Sequence, residues 1–245
     1  MKTNWAVESV SHQFDAYDDY LEDLFGYQPL ITDLIATIGQ NVHVLDYGCG
    51  GGKVSRRMRH YDIQQVTGVD ISQTMIAKAS SHGDPDNLHY YEIESGIIPL
   101  ADSLCDGAIC CFVFINVPDK AELQHIANEV FRVVKPGAPF YILDTNPDST
   151  GIKYSSFKNG EADQRYQDGM ERPVYLDLPN GEVFKIIDTH WSKETYRDVL
   201  TNANFSNIEM VEMSRDALPE EHRMRLDPME SDRPPFVMFK CTRPA

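Results

Sequence analysis

The sequence predicts an α/β fold in which a mostly parallel sheet carries helices on both faces. Short apolar runs alternate with segments of helical composition between residues 41 and 145, and the first run ends directly in a glycine-rich turn. Such alternation is typical of parallel sheets, because parallel neighbours need a crossover long enough to hold a helix. The 245 residues and 42% hydrophobic content suffice for one domain with a sizeable core.

The elements of this core follow in order along the chain. Ser72 is placed to cap the second helix, and Lys135-Pro136-Gly137 ends the third. The predicted strands are a run that starts at Val42, then Gln65–Val69, Leu88–Ile93, Gly107–Phe112 and Phe140–Asp144. The predicted helices are Gly52–Arg59, Gln73–Ser80 and Ala121–Val134.

The last third departs from this alternation. Two runs typical of strands, Val174–Leu178 and Val183–Asp188, flank Pro179-Asn180-Gly181, and Asn-Gly between strands predicts a hairpin. After the hairpin the sequence predicts a helix at Ser192–Asn202 and two strands, at Ile208–Val211 and Phe236–Cys241. Between these strands, the charged segment Arg215–Pro235 is predicted to be a solvated loop.

The glycine-rich turn after the first strand indicates a nucleotide site. Glycine allows a sharp turn and leaves backbone N–H groups bare, and the positive end of the next helix attracts polar or anionic groups. Asp70 follows the second strand about 20 residues further on, where such folds place a carboxylate against a ribose diol. The dinucleotide pattern G-x-G-x-x-G would need a third glycine where Lys53 stands, so a nicotinamide oxidoreductase is disfavoured.

The pattern from Asp46 to Gly52 is D-x-G-x-G-x-G, which resembles motif I of the class I S-adenosylmethionine-dependent methyltransferases. The resemblance continues through Val69–Ser72, Ile109–Pro118 and Glu129–Tyr141, within a stretch from about Asn41 to Asn146. It implies S-adenosyl-L-methionine as the cofactor. It also implies a Rossmann-like, doubly wound, mostly parallel seven-stranded sheet with an antiparallel last strand and a lid insertion.

The same resemblance divides a single methyltransferase domain, residues 1–245, into four parts. Residues 1–40 form an N-terminal helical cap, 41–145 the cofactor-binding core, 146–191 a lid insertion with the hairpin, and 192–245 the C-terminal half of the sheet. An insertion of roughly 45 residues favours an enclosed acceptor over the open groove of a protein methyltransferase. The arrangement is similar to small-molecule methyltransferases of secondary metabolism, which act mostly at nitrogen or oxygen.

The cofactor-binding residues are those that the resemblance implies. Asp70 would accept hydrogen bonds from the ribose, Ile71 would lie against adenine, and Glu94 or Ser95 would contact the adenine amine. Tyr17 and Tyr20 belong to the segment Phe14–Tyr20, which resembles the family's leading helix. The full set is Tyr17, Tyr20, Asp46, Gly48, Cys49, Gly50, Gly52, Asp70, Ile71, Met75, Glu94, Ser95, Phe112 and Val117.

Two residues are predicted to be catalytic. Asn116 lies in an apolar run after the fourth strand, where a buried amide requires polar partners, and Phe112 before it flanks the methyl group or packs in the core. His190 is the candidate base for a protonated acceptor, because strand alternation places Asp188 on its face to orient the imidazole. The other interpretation of His190 is a structural corner anchored by Trp191.

Charge and composition limit the partners. With 38 acidic against 22 basic residues and a net charge of −16, the chain is unsuited to a nucleic-acid backbone. It shows neither a basic and apolar leader nor about 18 consecutive apolar residues, so a cytoplasmic protein without a membrane partner is expected. Five cysteines without C-x-x-C spacing predict reduced thiols and no metal site.

The sequence therefore predicts a methyltransferase with a small-molecule acceptor, and it leaves the oligomeric state open. Two alternatives remain. One is a protein methyltransferase on the same core. The other is a non-catalytic S-adenosylmethionine-binding protein, because an intact motif indicates binding and not turnover.

Overall fold

Two sheets contain the strands of the computed structural model, which describes residues 3, 17–82, 84, 86–224, 226 and 232–245. The strands among these residues are β1 (His43–Tyr47), β2 (Gln65–Asp70), β3 (Leu88–Glu92), β4 (Gly107–Cys111), β5 (Pro139–Thr145), β6 (Phe157–Asn159), β7 (Glu171–Asp177), β8 (Val183–Thr189), β9 (Ser206–Val211) and β10 (Phe236–Thr242).

The larger sheet has seven strands in the order β3-β2-β1-β4-β5-β10-β9. The first five are parallel, and β10 runs antiparallel to both β5 and β9. This confirms the predicted mostly parallel sheet with an antiparallel last strand. The strand order reverses between β1 and β4, and ligands in such folds bind beyond the carboxyl ends of the strands at that point.

The helices alternate with the strands as predicted, with ends within about one residue of the expected positions in the core. The first helix, α1 (Gln28–Ile38), continues directly from an α-helical turn, Tyr20–Glu22, and a π-helical stretch, Asp23–Tyr27. Residues 14–16 of the predicted leading helix lie outside the described residues, and Tyr17 precedes the helical turn. The helices are α1 (Gln28–Ile38), α2 (Lys53–His60), α3 (Gln73–Ser81), α4 (Lys120–Val133), α5 (Lys193–Asn202) and α6 (Glu220–Arg223).

The smaller sheet consists of β6, β7 and β8 in that order, all antiparallel. The predicted hairpin is present as β7 and β8. Strand β6 adds a third strand to it, which was not predicted from the sequence. Along β7 and β8, buried and more exposed residues alternate, so one face of this sheet is turned inward. That face lies over the carboxyl end of the larger sheet.

The expected solvated loop at Arg215–Pro235 is wrong in part. It contains a 3₁₀ turn, Arg215–Ala217, and helix α6. Leu218 and Leu226 are buried in the main apolar cluster, which explains why this charged segment folds back onto the protein. Across the described residues no helix is both long and apolar enough to cross a membrane.

Candidate active site

A cavity of about 790 Å³ lies beyond the carboxyl ends of the parallel strands. One part is lined by the glycine-rich turn after β1 and by the end of β2, including Gly48, Gly50 and Asp70. The other part is lined by the inward face of the smaller sheet, including Asn159 and Asp188. A single space of a size usual for ligand sites therefore connects the expected cofactor residues to the insertion.

The glycine-rich turn is closed against β2 by backbone hydrogen bonds. The N–H groups of Gly48 and Cys49 both donate to the carbonyl of Val69, at 2.7 and 3.0 Å. Gly50 has φ +51°, and a Cβ atom placed on it would meet no heavy atom within 4 Å. The bare backbone of Gly50 thus borders open space in the cavity, which is the condition for close approach of a ligand.

Gly52 has a different reason to be glycine. A Cβ atom there would lie 2.6 Å from the hydroxyl of Tyr90 and 3.0 Å from the Cβ of Ala79. Gly52 also lies outside the cavity lining, whereas its neighbour Gly51 belongs to it. The position predicted as part of the cofactor floor is therefore required by packing between α2, α3 and β3.

Asp70 is held in place by the turn that it borders. Its Oδ2 accepts the N–H of Gly50 at 2.9 Å, and its Oδ1 accepts the N–H of Ser72 at 2.8 Å. Burial raises the pKa of Asp70, and these backbone donors oppose that shift. Each carboxylate oxygen has two acceptor sites, so both keep capacity for a ribose hydroxyl. The carboxylate and the bare turn fit the nucleoside part of S-adenosylmethionine.

Asp46 lines the deep end of the same part of the cavity. Its Oδ2 accepts the hydroxyl of Ser55 at 2.5 Å, and burial raises its pKa to about 7. Cys49 also lines the cavity, and burial raises the pKa of its thiol well above the ordinary value. Cys49 is therefore a packed neutral group and not a nucleophile.

The predicted adenine end is divided between residues inside and outside the cavity. Ile71, Met75, Ser95 and Val117 line it. Glu94 is exposed and does not, so Ser95 is the better placed of the two candidates for adenine.

Phe112 and Asn116 are coupled at the end of β4. Phe112 has φ +56°, which is strained for a bulky side chain and typical of functional sites. The side-chain amide of Asn116 donates to the carbonyl of Phe112 at 2.7 Å, and the N–H of Phe112 donates to the carbonyl of Leu143 at 2.7 Å. Both residues line the cavity, so Asn116 supports the backbone that aims Phe112 into it.

The two N-terminal tyrosines have different surroundings. Tyr17 lines the cavity, donates its hydroxyl to Oε1 of Glu22 at 2.8 Å, and lies 2.9 Å from Oγ of Ser156 next to β6. Burial raises the pKa of Glu22 to about 8. Tyr20 is partly exposed and is not in the lining. Tyr17 thus ties the segment before α1 to the smaller sheet across the cavity.

His190 lies outside the cavity lining, although it is only 9% exposed. Burial and the nearby positive charge of Arg172 lower its pKa to about 4. The hydrogen bonds of the described part of the chain do not include the expected one to Asp188, and Nδ1 of His190 has no partner there. The nearest aromatic ring is that of Tyr166, at 5.9 Å between centroids. Within the described residues, Asp188 therefore does not orient His190 through a hydrogen bond.

Asp188 and Asn159 are among the cavity residues that were not predicted to line it. Asp188 is 3% exposed, and burial raises its pKa to about 7 against the opposing effect of Arg172. Asn159 is fully buried on β6. Strand alternation could have placed Asp188 on the inward face, but β6 is too short to give a sequence signal for Asn159.

Comparisons with known proteins agree with this geometry. Residues 45–142 match the family described as a methyltransferase domain. The chain is 32% identical over 201 residues to N-demethylindolmycin N-methyltransferase of Streptomyces griseus, which covers 82% of this chain and 79% of that protein. A ubiquinone/menaquinone biosynthesis C-methyltransferase of Desulfotalea psychrophila is 31% identical over 112 residues, covering 45% of this chain and 44% of that protein.

A solved structure of an S-adenosylmethionine-dependent methyltransferase from Mesorhizobium loti is similar in fold. Its TM-score is 0.62 at 18% identity, with 88% of this chain and 96% of that chain covered. At this identity the likeness supports the fold alone.

Proposed function

The chain belongs to the class I S-adenosylmethionine-dependent methyltransferases, and we propose that it methylates a nitrogen or oxygen atom of a small secondary metabolite enclosed under the smaller sheet. The observation that carries this proposal is the single cavity of about 790 Å³ that reaches both the glycine-rich turn and the inward face of that sheet. The smaller sheet contributes lining residues to this cavity, which favours a small acceptor over the open groove expected of a protein methyltransferase.

The cofactor, when bound, supplies a methyl group already activated by a positively charged sulfur. The protein then contributes mainly alignment, and orientation alone can lower the barrier by about 7–11 kcal/mol. Asp70 and the turn around Gly50 hold the nucleoside end, and Phe112 offers an aromatic face where positive charge is favourable. The smaller sheet and Tyr17 exclude water from the acceptor.

The type of acceptor is supported by the similarity to N-demethylindolmycin N-methyltransferase, whose name describes methylation of nitrogen on a small molecule. That similarity extends over most of both chains, so it includes the insertion that covers the cavity and not only the cofactor-binding core. We also propose a cytoplasmic location, because all five cysteines are free thiols, as expected in a reducing compartment.

Label transfer tests the proposal. The protein is incubated with methyl-tritiated S-adenosylmethionine and a cell extract, and the products are separated into small-molecule and macromolecular fractions. The expected result is label in the small-molecule fraction that decreases with Asp70→Ala when S-adenosylmethionine is limiting. Label on protein or nucleic acid would contradict an enclosed acceptor, and tight cofactor binding without any transfer would indicate a non-catalytic protein.

A further inference from the structure

The inward face of the smaller sheet forms the roof of the cavity. We use the term roof face for its inward-pointing residues, whose register is fixed by strand pairing. One row pairs Phe157 with Leu176 and Phe184, the next Asn159 with Val174 and Ile186, and the third Arg172 with Asp188.

Apart from Nε of Arg172, whose other two nitrogens are paired and which lies outside the cavity lining, two polar side chains of the roof face lack hydrogen-bond partners within the described residues. These are the amide of Asn159, at both Nδ2 and Oδ1, and Oδ1 of Asp188. Both residues are more than nine-tenths buried and both line the cavity. Buried polar groups are almost always paired, and leaving one unpaired costs about 1–3 kcal/mol. Unpaired groups that face a binding cavity indicate a ligand that supplies the missing partners.

The position of Asp188 relates it to the methyl-transfer end of the cavity. Strand β8 packs against the turn Phe114–Asn116 that follows β4. Arg172, opposite Asp188 on β7, donates to Oγ1 of Thr145 at the end of β5 at 2.6 Å. Asp188 therefore lies over the ends of β4 and β5, beyond which the family places the methyl group.

Asn159 lies further from that end. It is two strands across and two residues along from Asp188, which corresponds to ~12 Å between their Cα atoms. Phe157 on the same strand stacks on Phe236 at the start of β10, with centroids 5.4 Å apart. The two unpaired groups thus face two separate ends of a ligand beneath the roof face. They do not both face a single amide group of that ligand.

The rings of Phe112, Tyr27 and Phe236 form a second wall of this space. Phe112 packs edge-on against Tyr27 at 5.8 Å and against Phe236 at 5.3 Å, and Phe236 continues to Phe157. All four residues line the cavity. Between this wall and the aliphatic side chains of the roof face, a flat apolar molecule buries the most surface.

The charges around Asp188 favour a neutral acceptor. Its carboxylate already faces the guanidinium of Arg172, which is 1% exposed. Burial raises the pKa of the nearby Asp144 carboxyl well above the ordinary value, against the opposing effects of Tyr196 and Arg172. Tyr196 donates to that carboxyl at 2.9 Å, and burial also raises the pKa of its hydroxyl. The carboxyl group of Asp188 thus already has a positive charge beside it, and an acceptor cation is not required.

We propose that Asp188 and Asn159 bind the two ends of a flat, neutral, aromatic nitrogen compound, with its reactive N–H donated to Asp188 and a carbonyl group accepting from Asn159. This assignment rests on the proposed function, because it names the acceptor class of that same site. In the reaction the nitrogen forms a bond to the methyl carbon while the carbon–sulfur bond breaks and its electron pair stays on sulfur. The N–H electron pair remains on nitrogen, and the proton moves to the carboxylate of Asp188.

Binding of three simple probes tests the assignment on protein saturated with S-adenosylhomocysteine, by titration calorimetry. The first probe is 4-quinolone, whose N–H and carbonyl lie at opposite ends of one ring. The second, 1-methyl-4-quinolone, lacks the N–H, and the third, 1,2,3,4-tetrahydroquinoline, lacks the carbonyl. We expect 4-quinolone to bind about tenfold more tightly than either analogue, since each lost hydrogen bond leaves a buried group unpaired.

Variants then assign each hydrogen bond to a residue. Asp188→Asn should weaken 4-quinolone about tenfold and leave the 1-methyl analogue unchanged, while Asn159→Leu should weaken 4-quinolone and leave tetrahydroquinoline unchanged. Asp177→Asn, an identical replacement on the outward face of the same sheet, should change none of these affinities. Unchanged affinity for S-adenosylhomocysteine in every variant shows that the fold is retained.

The outcomes separate this assignment from the proposed function. Equal weakening of all three probes would assign the two residues to packing, and failure of every probe to bind the loaded protein would exclude this acceptor class. Either result overturns the assignment and leaves methyl transfer untouched. Failure of the parent protein to bind S-adenosylhomocysteine would instead contradict the proposed function itself.

Discussion

Replacing Gly50 by alanine adds a single methyl group. This change distinguishes a role of Gly50 in cofactor binding from a role in folding. The residue has φ +51°, so any L side chain is strained there by about 1–2 kcal/mol. No heavy atom lies within 4 Å of the added Cβ, so there is no clash with the protein itself. If the cofactor lies against this backbone, the methyl group overpacks the bound complex by about 1–3 kcal/mol, roughly 5- to 150-fold in Kd.

Gly181→Ala is the matched control. Gly181 lies in the turn between β7 and β8 with φ +83°, and a Cβ atom there also meets nothing within 4 Å. Both variants should therefore lose similar stability, a Tm decrease of roughly 2–8 °C in calorimetry for a chain of this size. Only Gly50→Ala should lose affinity for S-adenosylmethionine in titration calorimetry. Normal cofactor affinity in Gly50→Ala would refute the reasoning that the turn lies against the cofactor.

Three further predictions concern side chains. Asp70→Ala should weaken S-adenosylmethionine binding by about 1–3 kcal/mol, whereas Glu92→Gln on the neighbouring strand should leave it unchanged. Unchanged affinity in Asp70→Ala would show that Asp70 does not bind the ribose. Asn116→Ala should lower kcat by roughly ten- to a hundredfold with a smaller change in cofactor Kd, because it releases the carbonyl of Phe112; equal losses in both would contradict a positioning role. Glu22→Gln should gain stability over the parent as pH rises from 5 to 8, by at most about 1.4 kcal/mol per unit, as measured by urea unfolding. The folded protein keeps a proton on Glu22 up to about pH 8, whereas the unfolded chain releases it near 4.5, so the native carboxyl destabilises the fold increasingly with pH; a gain independent of pH would exclude this cause.

Local patterns were sufficient to predict the core. Glycine spacing, strand alternation and capping residues act over a few neighbours in sequence, so they can be recognised without knowing the fold. Ser72 caps its helix as expected, by accepting a backbone N–H group, and Ser192, where a helix was predicted to start, caps that helix in the same way. The hairpin around Asn180 follows from turn chemistry in the same way.

Features that depend on distant contacts could not be predicted. Gly52 belongs to the glycine motif, yet a side chain is excluded there because it would contact Tyr90, which lies 38 positions away on β3. The positive φ of Phe112 depends on a hydrogen bond from Asn116 and on pairing with Leu143. Asn159 enters the cavity only because β6 joins the hairpin, and three residues of strand carry no periodic signal.

The pairing expected between Asp188 and His190 shows where strand alternation stops being informative. Residues two apart share a face only while the chain stays in a strand, and β8 ends at Thr189. His190 is therefore already in the turn towards α5, with its N–H donated to the carbonyl of Met170, and alternation no longer fixes its direction. Asp188, the last inward position of β8, keeps the orientation that the pattern assigns. Strand alternation therefore places Asp188 correctly on the cavity side, whereas it cannot place His190.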